Sequence, residues 1–130
     1  MNVKFNDEES TILNLSEVPL LILNDEKIEF RLDKWHDIFN IDFIDRDLAK
    51  KDFDRLKEIL EPRGFILIGN TLLSKEKIVA VSANQRRCSL IVLLDNGAFH
   101  EIKFENGYDT KDGYDRLFAY INKYNIFIRL

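Results

Sequence analysis

Arg86 and Arg87 stand side by side in SANQRRCSLIVLLDNGAFHEIKF, a stretch that otherwise reads as two β-strands around a turn. Two adjacent guanidiniums can grip a phosphate or a carboxylate through paired N–H donors. Lys75 and Lys77 lie on the preceding loop of the same run of strands. If the two loops meet, four cations face one phosphate or one acidic partner surface. Asp52 and Asp54 supply the opposite sign, in the acidic first half of the chain, where an acidic face would suit a basic partner.

Other chemistry is thinly supplied. His100 and Glu101 are neighbours on an alternating strand, so their side chains point to opposite faces and cannot form an acid–base pair. Asp33, His36 and Asn40 would share one face of a helix, yet no second histidine is near, and a metal site is not expected. DFIDRDLAKKDFD lacks the spacing of a calcium loop, and NGYDTKDG has no glutamate at the twelfth position. No G-x-S-x-G, H-E-x-x-H, P-loop or G-x-G-x-x-G pattern occurs. With two histidines and one cysteine, neither a nucleophilic triad nor metal hydrolysis is provided for. The expectation is a protein without catalysis and without a cofactor. Cys88, alone, can form no disulfide within the chain and reads as a small buried residue of a strand.

The elements that hold these residues follow from periodicity. PLLILNDEKIEFRL reads as a hairpin, with Asn24-Asp25-Glu26 as its turn and Ile28, Phe30 and Leu32 on one face. In DKWHDIFNIDF, Trp35, Ile38 and Phe39 fit one face of a short helix capped by Asp33, an ambiguous segment. DRDLAKKDFDRLKEILEPRG is a helix. Asp45 or Asp47 can cap it, Leu48, Phe53, Leu56, Ile59 and Leu60 form its apolar stripe, and Pro62 and Gly64 stop it. FILIGN, KIVAVSA, RCSLIVLLD and AFHEIKF read as four strands of an antiparallel meander, with TLLSKE as a connector and DNG at 95–97 as a hairpin turn. Ala98, His100, Ile102 and Phe104 share one face of the last strand. A second helix follows, capped by Asp112 or Thr110, with Leu117, Phe118, Ile121 and Tyr124 on its apolar face. IFIRL is a terminal strand or tail, and residues 1–17 read as a frayed start. The order implies one α+β domain over residues 1–130, an antiparallel sheet covered on one face by two amphipathic helices.

Charge narrows the partners. The net charge is −4, and a generic nucleic-acid binder would be basic. Residues 1–62 hold 16 acids against 9 bases, whereas residues 63–104 hold 6 bases against 3 acids. The start of the chain has no apolar signal region, and no apolar run approaches a membrane span, so a cytoplasmic protein is expected. Abundant Ile, Lys and Asn suit an AT-rich bacterial or phage genome.

Residues 65–130, strands followed by a helix and then FIRL, are similar to the LytTR DNA-binding domain, whose short strands precede a helix and an F-x-R segment. The resemblance places Arg129 at the arginine of that segment and implies a DNA partner. The sequence stops at Leu130, before the basic continuation of that pattern. The reading placed first is therefore a small non-catalytic protein-interaction or regulatory module, such as an inhibitor encoded by a phage or mobile element. Its partner would be a protein with a basic surface, and pairing of strand edges could also form a homodimer. The reading placed second is a nucleic-acid-binding domain acting through Lys75, Lys77, Arg86 and Arg87.

Overall fold

The computed structural model of the chain describes residues 2–5, 11–15, 18–32, 38–84 and 86–124. Its strands are β1 (Asn2–Lys4), β2 (Ile12–Asn14), β3 (Leu20–Asn24), β4 (Lys27–Arg31), β5 (Ile38–Asp42), β6 (Phe65–Ile68), β7 (Thr71–Ser74), β8 (Ile78–Asn84), β9 (Ser89–Leu94) and β10 (Phe99–Lys103). Helix α1 spans Arg46–Leu60 between β5 and β6, and α2 spans Gly107–Tyr124 after β10. The fold is α+β with antiparallel sheets and two helices, as periodicity implies. The strands do not form one meander, however. A five-stranded sheet runs β5-β4-β3-β7-β6, a three-stranded sheet runs β10-β9-β8, and β1 pairs with β2.

Both faces of the five-stranded sheet are covered, because its strands alternate between two cores. Leu21, Ile28, Phe30, Ile41 and Leu72 face α1, where Ala49, Phe53, Leu56 and Leu60 pack on them. Leu20, Ile22, Ile68 and Leu73 face the other way, against Leu90, Val92, Leu94 and Ile102 of the three-stranded sheet and Leu117 of α2. Three consecutive residues of β3, Leu20, Leu21 and Ile22, are therefore buried, a run that one-sided alternation does not give. Each helix thus serves its own core; they do not lie together on one face.

Four local readings change, each for a physical reason. Residues 2–5 and 11–14 are not a frayed start: β1 and β2 pair antiparallel, and Val3 and Phe5 join the first core, with Phe5 edge-on to Phe30 at 5.5 Å. Ile38–Asp42 is a strand; opposing Phe39 to Phe30 and Ile41 to Ile28 satisfies its backbone, and tertiary pairing overrides the helical spacing. TLLS is β7 rather than a connector, because Gly69-Asn70 is a two-residue hairpin turn. Gly69 takes φ +60 at the first central position, where a glycine costs least. Helix α2 starts at Gly107, earlier than a cap at Asp112 or Thr110 allows. Asn106 Oδ1 accepts from Asp109 N at 2.8 Å, and Asp109 Oδ2 accepts in return from Asn106 Nδ2 at 3.1 Å. The Asn106 cap satisfies the first-turn N–H of Asp109, and the side-chain bond in return holds the cap in place.

The other ends are as read. Asp45 caps α1 by accepting from Leu48 N at 2.9 Å, and Gly64 closes it in the left-handed region after Pro62. The turn at 95–97 joins β9 to β10. Asp33, Trp35, His36 and IFIRL with Arg129 lie outside the described residues, whereas Asn40 stands exposed on β5.

Candidate functional site

The β8–β9 hairpin decides how the predicted cations meet. Lys75 and Lys77 form a single 3-10 turn before β8, and Arg86 and Arg87 follow its last residue. β8 has seven residues, so the two cation pairs lie roughly 20 Å apart, at opposite ends of the strand. The four cations do not face one ligand. A strand advances about 3.3 Å per residue, and only a bend in β8 could have brought its ends together.

At the lysine end the charge is already answered. Lys77 Nζ lies 3.8 Å from Asp95 Oδ2, and Asp95 N donates to Lys77 O at 2.8 Å. Lys75 and Lys77 are half-buried, and Lys75 N donates to Gly64 O, which ties the turn to the end of α1.

The arginine end is different. Asn84 and Ser89 are the last opposed pair of the β8–β9 ladder, so the loop between them is four residues long. Asn84 Oδ1 accepts from Arg87 N at 3.1 Å, and Cys88 turns the chain back with φ +51. Cys88 is therefore a turn residue in a sparsely populated conformation, not the first residue of a strand. Phe104 N donates to Cys88 O at 2.7 Å, anchoring the loop to the end of β10. Arg86 and Arg87 are exposed, and neither guanidinium forms an ion pair among the described residues.

Three residues join this end unannounced by the local sequence. Lys103 opposes Ser89 and so falls in the same cross-strand row as Asn84. Tyr108, 81% exposed, and Lys111, also exposed, stand in the first two turns of α2 just beyond Phe104. Sequence could have placed Lys103 by extending the register of the 95–97 turn. Tyr108 and Lys111 needed the true start of α2. Glu101, Glu105, Asp109 and Asp112 are exposed nearby, and Lys103 Nζ lies 3.7 Å from Glu101 Oε1.

The acidic candidates separate too. Asp54 is exposed but engaged with Lys50 at 2.8 Å. Asp52 is 1% exposed, because its helix position faces the first core rather than solvent. Arg55 lies 3.5 Å from Asp52 Oδ1 and donates to Lys4 O of β1. Asp52 thus helps hold the β1–β2 pair on α1, and no acidic docking face includes it.

His100 sits on the inner face of β10, at the joint between the sheets. Burial first, and Arg31 of β4 after it, lower its pKa to about 4, with Glu29 and Glu101 opposing the shift. It is neutral at pH 7 and belongs to the packing. Among the described residues, no three His, Cys, Asp or Glu side chains gather as a metal site, and no helix is long and apolar enough to cross a membrane.

No protein-family model matches the chain, and no curated protein sequence does. Among solved structures, it is similar to a LytTr DNA-binding domain from Bacillus cereus at 14% identity, with a TM-score of 0.55, over 91% of this chain and 96% of that one. The likeness reaches well beyond residues 65–130, to which the sequence resemblance was confined. It overturns the reading placed first, a protein-interaction or inhibitor module with a basic protein as partner: the fold of nearly the whole chain is that of a domain described as DNA-binding.

Proposed function

We propose that the chain is a non-catalytic nucleic-acid-binding domain, with double-stranded DNA as its partner and the β8–β9 loop as its principal contact. The observation that supports this most is the fold likeness to a DNA-binding domain across both chains. The loop geometry supports it as well. Arg86 and Arg87 project from a short turn held by Asn84 and by the Phe104–Cys88 bond. A two-stranded ribbon fits the major groove, where a guanidinium bonds a phosphate or, bidentately, a guanine edge. Net charge −4 is not an obstacle to such a contact, because the acids concentrate in residues 1–62. A cytoplasmic location goes with this reading.

The test is fluorescence anisotropy with labelled duplex DNA over a range of salt. Two phosphate contacts release about two counterions, so affinity should fall about tenfold between 50 and 200 mM salt. Absence of binding at the lowest salt would defeat the reading. Binding with no salt dependence would remove the arginines from it.

A further inference from the structure

Among the described residues, β10 is an edge strand of the three-stranded sheet. Two hydrogen bonds show which of its backbone groups are already used. Leu94 N donates to Ala98 O at 2.9 Å, and Phe104 N donates to Cys88 O at 2.7 Å. Directly opposed residues of an antiparallel ladder alternate between pairs that exchange both bonds and pairs that exchange none. Val92 opposes His100 and Leu90 opposes Ile102. Ala98, His100, Ile102 and Phe104 therefore turn their N–H and C=O groups toward β9. Phe99, Glu101 and Lys103 turn theirs outward, to the open edge. Among the described residues no other backbone group meets those three. Their side chains stand together on the outer face, with Phe99 70% exposed and Glu101 and Lys103 exposed beside it.

The geometry points to a second copy of this chain as the occupant of that edge. Two β10 strands pair antiparallel about a two-fold axis at Ile102 and join two three-stranded sheets into one of six strands. The order of charges selects this register. With the axis at Ile102, Glu101 opposes Lys103 of the partner subunit, and Lys103 opposes Glu101 of the partner subunit. All four residues face outward with free backbone groups, so each pair adds two ladder bonds. With the axis at Glu101, two glutamates would oppose each other, and like charges directly opposite destabilise a sheet. With the axis at His100, Glu101 would face Phe99. An edge kept apart from other chains carries lysines or like charges; this one carries an acid and a base in self-complementary order beside an exposed Phe. The inference stands apart from the nucleic-acid reading, and its measurement needs no DNA.

Sedimentation velocity of the full chain over a range of concentrations tests it. The wild type is expected to pass from monomer to dimer with a Kd of about 10 µM, as suits a small interface. Glu101→Lys should weaken the dimer at least about tenfold. Glu101→Lys with Lys103→Glu should restore it to within about threefold, because the exchanged charges again oppose each other. Glu101→Pro deletes one outward N–H and no bond to β9, and should leave only monomer. Circular dichroism confirms that each variant is folded, and the two lysine–glutamate variants decide the matter if the proline variant is not. A monomer at every concentration overturns the proposal. So does a dimer indifferent to Glu101→Lys, or a double variant no tighter than the single one.

Discussion

Lys75 and Lys77 lead into the β8–β9 hairpin whose turn carries Arg86 and Arg87, and the seven residues of β8 make them belong to different places. At the lysine end, Asp95 answers Lys77, and the turn is bound to the end of α1. At the arginine end, a four-residue loop is held by the Asn84 side chain and the Phe104–Cys88 backbone bond, and its two arginines are exposed. Equal formal charge thus gives a structural joint at one end and two exposed guanidiniums at the other.

The comparison can be broken from below by unseating the arginine end. Gly113 of α2 faces Leu90 and Phe104, and a Cβ there would lie 3.1 Å from each. Gly113→Val should cost about 3 kcal/mol in urea denaturation, because both neighbours are held in the core. A neutral result would mean that α2 is not seated as described. Next, Arg86→Ala with Arg87→Ala should weaken duplex DNA binding about 100-fold at low salt and remove most of its salt slope, whereas Lys75→Ala with Lys77→Ala should change it less than about threefold. Equal losses from the two pairs would erase the distinction between the ends.

Acid should loosen both ends together, through His100 between the sheets. Its folded pKa of about 4 lies below the ordinary histidine value of 6.5. The unfolded chain therefore takes up a proton first as pH falls. Stability is full above about pH 6.5, declines down to about pH 4 and changes no further below it from this group. The loss should be about 2 kcal/mol, discounted for partial exposure of the ring. Urea titrations across that range should show it, and His100→Phe should flatten the dependence. Smallest of all, Lys77→Ala should cost about 0.5 kcal/mol or less, since its pair with Asp95 is solvent-screened. A loss of several kcal/mol in a thermal melt would make the lysine end a keystone of the fold.

The parts of this arrangement that sequence shows are those governed by short-range rules. Asp45, Pro62 and Gly64 bound α1 because caps act within one turn. The inward face of His100 and Ile102 in β10, with Ala98 and Phe104 flanking it, follows from alternation alone. The division into two sheets is not local. β7 hides in TLLS because four residues carry little periodicity, and β5 hides because Ile38 and Phe39 suit a helix until Phe30 and Ile28 are set opposite. The Arg86-Arg87 pair is legible as a cationic loop, but its separation from Lys75 and Lys77 requires knowing that β8 stays extended. Asp52 looks like its exposed neighbour Asp54 until the apolar face of α1 is fixed.

β3 has a consequence for how the molecule comes apart. Leu21 lies in one core, while Leu20 and Ile22 lie in the other, so one five-residue strand is a wall of both. Neither core can open without stripping a face of that strand, and the exposed apolar surface penalises a half-opened state. Melting should therefore be a single cooperative transition, seen alike by far-UV and near-UV circular dichroism. The amides of Leu21 and Ile22, inside β3 between its neighbours β4 and β7, should exchange with solvent only when the whole chain unfolds.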